Sequence, residues 1–118
     1  MNVVCHEGSM KVYFDLLLYP WLDSRNMHMH LIDPACDSYS ITDQWLTVKV
    51  PLDGCGTQYI HEGDVIKYVN TFMCHVLPSP DRLISRVPDI WFPFNCTYGR
   101  GHPLKIIGAL PLGKIKES

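Results

Sequence analysis

The sequence has no apolar run approaching the roughly 18 residues that a bilayer span requires. Its longest, Leu16-Leu17-Leu18-Tyr19-Pro20-Trp21-Leu22, is broken by proline, so no direct membrane insertion is expected. Charge is sparse as well: 19% of residues are charged, the net charge is −2, and no basic stripe exists to neutralise phosphates, which excludes nucleic acid as a partner. The five cysteines include no C-x-x-C pair, against a zinc ribbon or a thioredoxin-like site. G-x-S-x-G is missing, and Ser38, Ser40 and Ser85 stand in no recognisable catalytic setting. Cys74 and His75 are neighbours, so in a strand they point to opposite faces and cannot act as a nucleophile and its base. His28 and His30 form an H-x-H, but a metal centre needs three or four convergent ligands with supporting contacts. The expectation is no enzyme, no metal and no cofactor.

What the chain does have is period two. Met10, Val12, Phe14 and Leu16 alternate with Lys11, Tyr13 and Asp15; Leu46, Val48 and Val50 alternate with Thr47 and Lys49. Methionine and leucine alternate with His28 and His30 from Met27 to Leu31. Each run reads as a half-buried antiparallel strand. Turn residues divide them at 23–26, Asp33-Pro34, Asp53-Gly54, Glu62-Gly63-Asp64 and 78–81. Residues 65–76 and 83–98 form two long β-rich stretches expected to pair. No 3.6-residue pattern holds over ten positions, although the leucine-rich patches at 16–22 and 104–112 leave room for a helical turn. An all-β sandwich follows, one domain over residues 1–102, with a last strand and linker over 103–118.

The cysteines are Cys5, Cys36, Cys55, Cys74 and Cys96. Scattered cysteines together with the sequon Asn95-Cys96-Thr97 favour an oxidising, extracellular compartment. Met1 opens almost directly onto a strand-like run, from which we expect an excised piece of a larger precursor. In the strand ending at Tyr98, Ile90, Phe92, Phe94, Cys96 and Tyr98 share one face and Trp91, Pro93, Asn95 and Thr97 the other. Cys96 is thus expected to turn inward and Asn95 outward, as a glycan acceptor. An odd count leaves at least one thiol over, and spacing alone leaves three pairings open for any four cysteines.

Four stretches, in order, carry a resemblance: Val4-Cys5 followed by Met10-Lys11-Val12, His30-Leu31-Ile32-Asp33-Pro34-Ala35-Cys36, Gly54-Cys55-Gly56-Thr57, and Asn95-Cys96-Thr97-Tyr98. With Tyr68-Val69-Asn70 they resemble the ZP-N domain, the amino-terminal half of the zona pellucida module of egg-coat and other extracellular filament proteins. The resemblance implies an immunoglobulin-like antiparallel β-sandwich with disulfides Cys5–Cys96 and Cys36–Cys55, and a mostly buried, hydrogen-bonded Tyr98. Cys74 falls outside that pattern, as a buried free thiol or an inter-chain link. The resemblance further implies a secreted egg-coat repeat whose partners are other copies of itself and a basic sperm protein, or else a filament-forming module. Candidate partner-binding residues are Tyr19, Trp21, Leu22, Met27, His28, Met29, His30, Trp91 and Pro93. Asp23, Asp33, Asp37 and Asp43 are placed to steer a basic partner.

Overall fold

A computed structural model describes residues 1–22, 25, 27–76, 89–99, 105–111 and 116–117. Ten strands carry the described chain: β1 (Asn2–His6), β2 (Ser9–Asp15), β3 (Met27–His30), β4 (Ser40–Thr42), β5 (Trp45–Pro51), β6 (Gln58–Glu62), β7 (Val65–Val76), β8 (Ile90–Gly99), β9 (Lys105–Pro111) and β10 (Lys116–Glu117). One sheet runs β1-β2-β5-β4 and the other β10-β8-β7-β3, with β6 also on β7 and β9 also on β8. Every pairing is antiparallel. This is the expected immunoglobulin-like sandwich.

The alternation read from sequence sets which residues fill the space between the sheets. Met10, Val12 and Phe14 of β2 and Leu46, Val48 and Val50 of β5 are buried from one side. Phe72 and Cys74 of β7, Phe92, Phe94, Cys96 and Tyr98 of β8, and Met27 and Met29 of β3 close over them from the other. Phe14 is the aromatic hub, with its ring 5.3 Å from Phe72 and 4.9 Å from Phe92. Burying a side chain of this size contributes about 1.5–3 kcal/mol.

Turn chemistry fixes the registers. Gly63 (φ 59°) lies in the two-residue connection that sets Glu62 opposite Val65, a backbone region glycine enters without steric cost. Gly56 (φ 80°) has a second reason to lack a side chain, since a Cβ there would sit 2.8 Å from the backbone nitrogen of Asp33 and from Ile32. The leucine patch at 16–22 makes two successive turns: both Leu18 and Tyr19 donate to the Asp15 carbonyl, and Leu22 to that of Tyr19. In the second patch, 105–111 forms strand β9, so the helical turn there is not found among the described residues. The β-rich stretch expected from residue 83 is described from Asp89 onward, and 83–88 lie outside the described residues.

Candidate functional site

The two disulfides are those expected. Cys5–Cys96 joins β1 to β8 across the sandwich over a separation of 91 residues, and Cys36–Cys55 closes a loop of 19. Loop closure on this scale removes denatured-state entropy equivalent to about 4.6 and 3.3 kcal/mol respectively in the chain-entropy model. Beside the first bond, Tyr98 is fully buried and its hydroxyl donates to the His6 carbonyl at 2.6 Å. Burial pushes its hydroxyl up to about 12, helped by the neighbouring Tyr68.

Asn70 organises the second bond. Its side chain is 1% exposed. Oδ1 accepts from the backbone N–H of Ile32 (3.1 Å) and of Thr71 (2.7 Å), while Nδ2 donates to the Cys55 carbonyl (3.0 Å) and to Thr57 Oγ1 (2.9 Å). Its position explains the need. Along this flank of β7, β6 covers residues 65–69 and β3 covers 73–76, so Asn70 opens the gap between them. An amide, with two acceptor sites and two donors, answers the polar groups of both cysteine-bearing loops at once.

Cys74 is free, fully buried, and its thiol is pushed up to about 12 by desolvation. A thiol so placed is a poor nucleophile, and of the two expectations it takes the form of the buried free thiol. Asn95 also departs from expectation. It does lie on the face opposite Cys96, yet it is 2% exposed and its Oδ1 has no partner among the described residues. The alternation argument treated the far face of β8 as solvent. In fact β8 is an inner strand at this point, with Val69 of β7 on one side and Leu110 of β9 on the other.

The candidate partner-binding residues scatter likewise. Leu22, Met27, Met29 and His30 are buried. Trp91 is half-buried with its Nε1 shut away from solvent, so it is not the open anchor expected beside Pro93. Pro93 itself is half-buried, at a stretch of β8 that β10 (reaching Trp91) and β9 (starting at Phe94) both leave unpaired. A residue without an N–H is tolerated at such a gap. Tyr19 packs edge-on against Phe14 and Phe92, and Trp21 stacks on Phe92 at 6.1 Å while staying 39% exposed. His28 is exposed, as are Asp33, Asp37 and Asp43, while Asp23 lies outside the described residues.

Two exposed features go beyond the expected residues. Leu17 and Leu18 are 71% and 72% exposed and, with Pro20 and Trp21, make an apolar turn at one end of the sandwich. All five residues of β6 are exposed, including Tyr59 and Ile60, and among the described residues the strand pairs with β7 alone. The first was visible as a leucine run; the second carried no periodic signal, because neither face of β6 is buried.

A small antiparallel sandwich clasped by two disulfides defines an immunoglobulin-like β-module. The chain belongs to the ZP-N domain family, whose profile matches residues 5–99. ZP-N is a structural, non-enzymatic family of extracellular, zona-pellucida-type modules that polymerise with other such copies. No helix among the described residues is long and apolar enough to cross a membrane.

Proposed function

We propose that this domain serves in an egg coat as a repeat that joins other copies through the edge of β6 and is recognised by a sperm protein at its apolar turn. The carrying observation is β6: a proline-free strand, paired among the described residues on one side only, with Tyr59 61% and Ile60 49% exposed. An open edge of this kind is a template for a further strand. A two-fold pairing centred on Ile60 would set Gln58 against Glu62 and Tyr59 against His61 of the second copy, with no like charges opposed. Five residues give a small contact, so assembly would depend on copies linked in an array.

The recognition role is supported by the exposed turn 17–21 and by the acidic residues Asp33, Asp37 and Asp43, which suit a basic protein. As a ZP-N domain the chain is similar to the repeats that make up the mollusc vitelline envelope receptor for lysin. The two roles separate experimentally. Ile60→Lys in a tandem pair of domains should abolish association in sedimentation while leaving binding of a purified basic sperm lysin intact. Leu17→Ser with Trp21→Ala should do the reverse. Unchanged self-association of Ile60→Lys rejects the edge; unchanged lysin binding of the turn variant rejects the recognition surface.

A further inference from the structure

His30, His75 and Asp89 form one continuous chain of polar contacts tying β3 to β7 and to the entry of β8. His30 is the buried member, 7% exposed; its Nδ1 faces the Leu31 carbonyl and its Nε2 stands 2.8 Å from Nε2 of His75. The other ring nitrogen of His75, Nδ1, lies 2.9 Å from Asp89 Oδ1. The two rings are nearly parallel, with centroids 4.8 Å apart. The contacts are hydrogen bonds and an ion pair.

Counting protons shows what those bonds require. The two ends of the chain, a peptide carbonyl and a carboxylate, only accept. Three links therefore need three ring protons, whereas two neutral imidazoles bring two. We infer that His30 and His75 act as a single-proton latch on β3, complete only while the pair shares one imidazolium charge. Without the extra proton, one of the three links lacks a hydrogen and opens. With a second extra proton, two N–H groups confront each other across the central gap, and that link breaks instead.

The surroundings fit one charge and oppose two. Asp89 balances the first. His28 lies opposite His75 in the ladder, its ring 5.3 Å from that of His30 and 6.5 Å from that of His75, and disfavours a second. Cys74, next to His75 on β7, is buried in the core on the other face. Lys116 and Glu117 approach through the backbone pairing of β10 with Trp91 and Ile90. The consequence falls on β3, a four-residue strand paired only with β7 among the described residues. It carries Met27 and Met29 into the core. Its attachment should be tightest at the pH where the pair holds one extra proton and looser on either side.

The test is the thermal midpoint of the disulfide-intact domain from pH 4.5 to 8.5, below the range where Cys74 and Tyr98 contribute. Wild type should show a maximum, falling by roughly 3–6 °C towards each end. Asp89→Asn should lose the alkaline fall alone, because an amide can donate to His75 Nδ1 and complete the chain with two ring protons. His75→Gln, whose amide can meet His30 as donor or acceptor, should flatten both arms. Ring-nitrogen NMR of wild type at the maximum should find three of the four nitrogens of His30 and His75 protonated, and this decides the matter even if a variant fails to fold. Parallel profiles for wild type and His75→Gln, two protonated nitrogens at the maximum, or a profile that changes when chelator is added would each overturn the latch.

Discussion

Replacing Asn70 with alanine removes four hydrogen bonds and adds no clash, so its cost can be worked out from the groups left behind. The N–H groups of Ile32 and Thr71 and the carbonyl of Cys55 all lose their partner. Thr57 Oγ1 keeps its bond to the Pro51 carbonyl at 2.8 Å and suffers least. Each buried polar group left unmet costs about 1–3 kcal/mol. Water reaching the half-buried loop recovers part of this, so we expect a loss of about 3–5 kcal/mol from the three groups together. That is a large share of the about 5–15 kcal/mol that typically holds a domain folded. The assay is urea unfolding without reductant, comparing midpoints at constant slope. Because the amide also fixes Ile32 and Cys55, the Cys36–Cys55 bond of the variant should be reduced faster by dithiothreitol than that of wild type. Asn70→Asp should fall between the two: it keeps the acceptor for both N–H groups but turns an oxygen towards the Cys55 carbonyl. A loss below about 1 kcal/mol for the alanine variant, within the net range of a single hydrogen bond, would refute the view that Asn70 bridges the strand gap.

Three further outcomes are expected. Tyr98→Phe should cost about 0.5–1.5 kcal/mol in the same assay, the net value of one neutral hydrogen bond, while leaving both disulfides in place by mass mapping. Stability should fall as pH rises above about 9. The Cys74 thiol moves from 9.0 to about 12 and the Tyr98 hydroxyl from 10.0 to about 12, so the unfolded chain releases these protons first. Their contribution is whole below pH 9 and is lost towards pH 12; a flat midpoint from pH 8 to 11 in Cys74→Ala, Tyr98→Phe as well as in wild type would contradict it. Intact mass of the folded, secreted domain should show no glycan on Asn95, since the acceptor is buried; a sugar found there would mean that Asn95 is open to solvent in the mature protein.

The sandwich was legible because its core strands alternate cleanly. Met10, Val12 and Phe14, or Leu46, Val48 and Val50, leave one choice of face, and the structure buries those residues. The failures share one physical cause. Period two tells the two faces of a strand apart but cannot say whether the second face meets water or another strand. Asn95 and Trp91 were placed outward correctly in direction and wrongly in exposure. His30 was grouped with His28 as surface, yet the pair splits into one buried ring and one exposed. Asn70 could be named only as part of a triplet, because its role depends on where β6 stops and β3 begins, a matter of tertiary arrangement.

The bond between Cys5 and Cys96 has a mechanical consequence. Tension applied between the strand β1 end at Cys5 and the β8 end at Cys96 passes from one sulfur to the other. The 91-residue separation between them amounts to roughly 300 Å of stretchable chain at 3.3–3.6 Å per residue, and all of it is shielded from load while the bond holds. Between those two points the domain would resist strain by covalent strength instead of by unravelling and would yield length only to a reductant, whereas β9 and β10 lie outside the protected loop.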